Sequence, residues 1–151
     1  MTKLRRITVR GIIFDGDKLL AQQLKPSSDG KTRDYWCTPG GGLEPGESLL
    51  AGLRREMIEE TGIAPKIGDL LFIQQYEDEV REFIEFFFHV KNYKDYTEIN
   101  LAETSHGTIE VERVEFIEPS KHELLPAFLQ TADIPTILLH PHPVMIADYL
   151  N

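Results

Sequence analysis

The chain has 151 residues, of which 41% are hydrophobic and 27% charged, with 16 Lys+Arg against 25 Asp+Glu and a formal net charge of −9. This length suits one domain with a self-sufficient core, and the composition excludes disorder and low complexity. The acidic balance disfavours an overall nucleic-acid or membrane-surface binder, because phosphate surfaces reward positive charge, so a phosphate-handling enzyme of this charge must bring a cation with it.

Ile7 to Phe14 is apolar and β-branched, which predicts a strand. Asp15-Gly16-Asp17 supplies turn chemistry, and Lys18 to Leu24 reads as the second strand of a hairpin. Pro26 to Asp34 is a polar loop, Tyr35 to Thr38 a short strand stopped by Pro39, and Gly40 to Gly46 a loop. A helix then spans about 48–61. Ser48 is its cap, Glu47 suits the positive end of the dipole, and Gly62 takes the left-handed position. Ile58 and Ile63 fall at the two touching sites of a Schellman end, and Pro65 blocks continuation.

Beyond the helix, Asp69 to Tyr76 and Arg81 to Val90 predict two long strands joined by Glu77-Asp78-Glu79. Thr108 to Ile117 predicts a further strand, with Ile109, Val111 and Arg113 on one side and Glu110, Glu112 and Val114 on the other. Pro119 to Leu125 predicts a short helix with Pro119 in its first turn. Over 126–151 the pattern does not choose: Pro135 interrupts Leu129 to Leu139, and His140-Pro-His-Pro143 excludes a continuous helix. Strands outnumber helices, and no repeat or long linker divides the chain. The expected class is α+β with a mixed sheet.

Cys37 is the single cysteine, so an intramolecular disulfide is excluded and a reducing compartment fits. No apolar run approaches the ~18 residues that span a bilayer. The N-terminal MTKLRRITVR has no long apolar stretch behind its basic residues and does not read as a secretory signal. The expected location is the cytoplasm.

The helix carries the chemistry. At about 100° per residue, Leu50, Leu53 and Met57 share one face, while Ala51 and Ile58 form a narrower strip on the other side. Two apolar sides imply a helix sandwiched between layers. Glu56, Glu59 and Glu60 occupy the arc between the two strips, with Arg55 flanking it. Carboxylates at i, i+3 and i+4 lie roughly 5–6 Å apart at Cβ and repel each other. Each pair costs about 1 kcal/mol in water and more when desolvated. Such a stripe is either a solvated acidic face or a divalent-cation site. Oxygen donors alone, without a nearby His or Cys, favour Mg²⁺ or Mn²⁺ over Zn²⁺.

Gly41, five residues, Glu47, seven residues and then Arg55-Glu56-Met57-Ile58-Glu59-Glu60-Thr61-Gly62-Ile63 match the Nudix box, G-x5-E-x7-REU-x-EE-x-GU with U apolar. Every fixed position is filled, and Met57 and Ile63 occupy the apolar slots. The chain thus resembles the Nudix hydrolases. The resemblance implies an α/β/α sandwich around a mixed β-sheet, in a single domain over 1–151 with the tail from about 126 unassigned. It also implies Mg²⁺-dependent hydrolysis of a phosphoanhydride in a nucleoside triphosphate or nucleoside-diphosphate derivative, with Mn²⁺ as the alternative cation. Glu56, Glu59, Glu60 and the Gly40 carbonyl would be the metal ligands. Glu56 is also the in-box candidate to deprotonate water, a role that competes with metal ligation, and Arg55 orients a box glutamate through an ion pair. Glu47 is either an outer ligand or a dipole partner.

Outside the box, Glu103, Glu110 and Glu112 stand where many relatives carry a base or an extra ligand, and Glu112 is the first choice. Each also reads as an ordinary solvated glutamate. Arg10, Arg33, Tyr35, Trp36, Gly41 and Phe86 are the candidates for substrate contact. Against that, Trp36 fits a core equally well, Phe86-Phe87-Phe88 reads as a buried strand, and the arginines, Arg5 and Arg6 included, suit plain surface charge. The five histidines lack metal-ligand spacing, and Cys37 has no identifiable base partner. The expected partner is a small nucleotide, with a homodimer left open. Two other functions compete: a nucleotide-binding module without catalysis, which the intact box argues against, and RNA 5′-end hydrolysis, which the acidic surface weakens.

Overall fold

A computed structural model describes residues 2–26, 28, 30, 33–140 and 142–150, with Thr108 described in its backbone only. Strands β1 (Leu4–Ile12), β2 (Phe14–Asp15), β3 (Lys18–Leu24), β4 (Trp36–Cys37) and β5 (Gly40–Gly42) precede helix α1 (Leu49–Thr61). The hairpin of β6 (Ile67–Glu77) and β7 (Arg81–Val90) follows. After it come α2 (Gly107–Glu110), β8 (Val111–Ile117), β9 (Leu124–Leu125), α3 (Ile134–Leu139) and β10 (Met145–Asp148). One sheet has the order β10-β6-β7-β1-β5, and the other runs β2-β3-β4-β9 with β8 on β3. The first sheet is mixed, because β1 runs parallel to β7 and antiparallel to β5.

Alternation along β1 divides the core in two. Val9 and Ile13 face α1, packing with Leu53 and Met57 of the helix, Leu20 of β3 and Phe88 of β7. Ile12 faces the opposite way, towards Phe72, Phe87, Leu129 and Ile134. The sheet system therefore carries α1 on one side and the α3 region on the other. This is the expected α+β sandwich around a mixed sheet.

Both predicted ends of α1 form. The Ser48 hydroxyl accepts from the Ala51 N–H at 3.1 Å. Gly62 sits at φ +78° and its N–H donates to the Ile58 carbonyl. The helix is one-sided, however, and not sandwiched as its two apolar strips suggested. Leu53 and Met57 are fully buried, but Leu50, which periodicity grouped with them, is 52% exposed at the helix start, and Ile58 of the other strip is 38% exposed. Residues from both sheets meet the helix on the Leu53 and Met57 side, so its outer strip is left in solvent.

Several local expectations are corrected by long-range pairing. Gly40 to Gly42 is not loop but strand β5, paired with Thr8 to Arg10. Gly40 has φ +142°, and a Cβ there would collide with the Val9 carbonyl, so only glycine lets the two backbones close. The predicted strand from Thr108 begins instead with the helical turn α2. Strand β8 pairs with β3 only from Val111, across a register shift at Gln23/Leu24. Ile109 and Arg113 are exposed rather than sharing a buried side with Val111.

The predicted helix from Pro119 to Leu125 shrinks to a 3-10 turn, Pro119–Lys121, followed by β9 beside β4. Pro135 does not interrupt a helix but starts one: it lies in the first turn of α3, capped by the Asp133 side chain. The loop expected over Pro26 to Asp34 lies partly outside the described residues.

Met57→Ala is expected to destabilise by about 2–5 kcal/mol, as a large-to-small change at a fully buried site. Ser48→Ala should cost about 1 kcal/mol for the lost cap, and Leu50→Ala next to nothing. Urea denaturation of the three variants checks this order.

Candidate active site

Three elements converge at the C-terminal half of α1: the glycine strand β5, the loop bearing Glu47, and the helix itself. The Arg55 guanidinium joins them. Its Nε and Nη2 donate to the two oxygens of Glu47 at 2.8 and 2.9 Å. Nη1 donates to Glu56 at 3.0 Å and to Glu59 at 3.1 Å. Nη2 also reaches the Gly42 carbonyl at 3.0 Å. The hydrogen bonds from Arg55 hold the Glu47 carboxyl down at about 2. The Glu56 carboxyl moves the other way, pushed up by burial against the pull of Arg55. Gly41 is where that carboxyl needs room, since a Cβ on Gly41 would lie 2.7 Å from it.

Glu60 is handled differently. It is 3% exposed and accepts from the Gly40 N–H at 3.0 Å and the Gln22 side-chain amide at 3.3 Å. Burial pushes its pKa up to about 8, against the opposing charge of Arg10. Arg10 itself is committed elsewhere. Its Nε donates to Glu85 at 2.9 Å, and its Nη1 to the carbonyls of Thr38 and Gly40 at 3.1 and 3.3 Å. Gln74 completes this inner group by donating to the other Glu85 oxygen at 2.8 Å.

Two cavities meet here. A polar cleft of about 470 Å³ is lined by Glu56, Glu59, Glu60 and Gly40 to Gly42, with Arg6, Lys25, Arg33, His106 and Glu110 around it. A more apolar cavity of about 360 Å³ lies between the sheets, lined by Tyr35, Cys37, Gln74, Tyr76, Phe87 and Tyr149 among others. Arg10 and Leu24 line both.

The sequence candidates separate accordingly. Glu56, Glu59, Glu60, Gly40, Gly41, Arg55 and Arg33 share the cleft, Tyr35 lies in the apolar cavity, and Arg10 stands at the junction. Trp36 does neither. It is 5% exposed in the core, edge-on to His122 and under Arg113. Phe86 packs in the cluster that faces α1, and it is Phe87, on the opposite face of β7, that lines the cavity. A one-residue step along a strand reverses the side, and the triple Phe gave no sign of which member faced in. Glu112 is exposed near the bulge of β8 and does not line the cleft, whereas Glu110 does. Glu103, in the 3-10 turn Leu101–Glu103, does not line it either. Sequence reasoning passed over Gln22, Gln74 and Glu85. Their signal was a polar side chain at an inward position of an otherwise apolar strand.

A hard divalent cation suits the chemistry of this donor set. Glu60 is a buried carboxyl group held by neutral amides, with oxygen to offer once it loses its proton, and the cleft adds further carboxylates and a carbonyl oxygen. The acids are not drawn into a ready-made cage, however. Among the described residues, no group of three or more His, Cys, Asp or Glu is arranged to hold a metal ion. Arg55 pulls Glu56 and Glu59 to itself, while Glu60 turns towards Gly40.

The model of the NUDIX domain family matches residues 4–137. The chain is 36% identical over 115 residues to the "Uncharacterized Nudix hydrolase YvcI" of Bacillus subtilis (strain 168), covering 73% of this chain and 66% of that protein. It is 41% identical over 51 residues to diphosphoinositol polyphosphate phosphohydrolase 2 of Rattus norvegicus, which is 34% of this chain but only 28% of that protein. Among solved structures, the E. coli ORF135 protein superposes with a TM-score of 0.69 at 23% identity, covering 93% of this chain and 96% of that one.

Burial raises the pKa of the Cys37 thiol, and its S–H faces the Gln22 carbonyl. Alkylation by iodoacetamide at pH 8 is therefore expected to be slower in the folded chain than in urea, because the thiolate is the reacting form. Mass spectrometry of timed samples reads this directly.

Proposed function

Because the chain belongs to the Nudix family, enzymes that hydrolyse pyrophosphate bonds, we propose that this one cleaves a small nucleotide. The substrate is a nucleoside triphosphate or a nucleoside-diphosphate derivative, and the cation is Mg²⁺, with Mn²⁺ as a substitute. The observation that carries this reading is the junction of the two cavities at Arg10 and Leu24. Tyr35, Tyr76 and Tyr149 offer flat apolar surface for a planar base on one side. On the other side, Arg6, Lys25 and Arg33 rim a cleft whose floor is acidic, the combination that a metal-bound polyphosphate requires.

Glu56, Glu59, Glu60 and the Gly40 carbonyl are the groups that would hold the cation. When bound, it supplies Lewis acidity at the phosphoryl oxygens and takes up developing charge. The protein does the rest. Arg55 keeps Glu56 and Glu59 side by side on one guanidinium, with the Glu56 carboxyl against Gly41. Glu60, pinned by Gly40 and Gln22, fixes the strand against the helix. Glu56 is the in-box candidate in this reading for taking the proton of the attacking water, a role that competes with holding the cation. The outside-box role first given to Glu112 passes to Glu110, which shares the cleft. Lone Cys37 suits a reducing, cytoplasmic setting, and no helix among the described residues is long and apolar enough to cross a membrane.

Incubation with a panel of nucleoside triphosphates and nucleotide sugars plus Mg²⁺, read by chromatography, is expected to give metal-dependent product. Glu59→Gln and Glu60→Gln should each lower the rate on the order of 100-fold, the scale of losing one preorganised electrostatic contact. A diphosphoinositol polyphosphate has no planar group for the apolar cavity and should turn over more slowly than the best nucleotide. No product from any nucleotide, or full activity in both variants, would refute the proposal.

A further inference from the structure

Gln74 sits in a cross-strand row that continues beyond it to Ala147 on β10. Gly42 on β5 pairs with Thr8 on β1, Thr8 with Glu85 on β7, and Glu85 with Gln74 on β6. Three interstrand steps of ~4.8 Å place Gln74 roughly 14 Å across the sheet from the glycine strand. Its side chain is 5% exposed and lines the apolar cavity.

The orientation of its amide is fixed. Gln74 Nε2 donates to Glu85 Oε1 at 2.8 Å. Although burial opposes ionisation of Glu85, the Arg10 guanidinium holds that carboxyl below the usual carboxylate range. An ionised carboxylate only accepts, so the NH₂ end of Gln74 must face it and the carbonyl end must face away. Among the described residues, Gln74 Oε1 makes no hydrogen bond. The cavity thus presents a nearly buried, oriented acceptor on its β6 side, three strands across the sheet from the glycine strand.

We infer that Gln74 Oε1 selects substrates whose base carries an exocyclic amine at the edge opposite the sugar, cytosine at C4 or adenine at C6, over their keto counterparts. This rests on the nucleotide reading above. A nucleotide with its phosphates at the glycine strand directs that edge towards β6. An amine there donates to Oε1, whereas a keto oxygen places two acceptors face to face and leaves both desolvated. Arg10 and Glu85 are positioning residues in this arrangement, since they act on the base only through the orientation they impose on Gln74.

Nucleoside monophosphates test this independently of the leaving group. Protein-observed NMR titrations with CMP against UMP, and AMP against IMP, should show the amino member of each pair binding about two- to ten-fold more tightly, the scale of one neutral hydrogen bond. Gln74→Leu, and Gln74→Met as the volume-conserving alternative, should bring both ratios to about one. A purely structural role for Gln74 would weaken all four ligands alike and leave the ratios unmoved. Equal affinities in the parent protein, a keto preference, or ratios that survive in both variants would overturn the inference while leaving the nucleotide reading intact. Failure of all four monophosphates to bind the parent protein would overturn that reading as well.

Discussion

Like charges at adjacent positions of a helix are destabilising unless something gathers them, and here a single guanidinium does so. Arg55 sits where the loop, the helix and the glycine strand meet, and it donates to Glu47, Glu56, Glu59 and the Gly42 carbonyl at once. A lysine has the charge but not the planar fork needed to serve partners in these directions. Removing the arginine would leave several half-buried carboxylates facing one another with no counter-charge. The helix register, the path of the loop and the closeness of strand β5 all follow from this one cluster.

A second arginine plays the corresponding part between the sheets. Arg10 pairs with the buried Glu85 and ties the carbonyls of Thr38 and Gly40, so the polar cleft and the apolar cavity share a wall. A buried charge is tolerable only when paired and hydrogen-bonded, and Glu85 meets that condition through Arg10 and Gln74. The pair that satisfies the charge also fixes which end of the Gln74 amide faces the cavity.

Glycine is the complementary constraint. The Gly40–Gly42 run gives up side chains so that β5 can lie against β1 and receive the Glu56 carboxyl. The acids supply charge and the glycines supply proximity. Neither is sufficient alone, which is why the motif needs both at fixed separation.

Much was legible beforehand because it is local. The caps of α1 follow from Ser48 and Gly62, the hairpin of β6 and β7 from two apolar runs around an acidic turn, and the family from residues that lie within one loop and one helix. Spacing along a single helix fixes which carboxylates are neighbours. What the chain order could not reveal was which distant backbone would pair with which. A glycine run reads as loop until β1 lies beside it, and Glu110 and Glu112 are indistinguishable until the bulge opposite β3 sends one into the cleft and leaves the other exposed. Phe86 and Phe87 differ only in the strand face that the sheet register assigns. The amino-acid order determined the family, the acidic helix and its ends, because these depend on neighbours within a few turns. Tertiary pairing alone decided which side chains face the two cavities, because a strand's inward side is set by its partners.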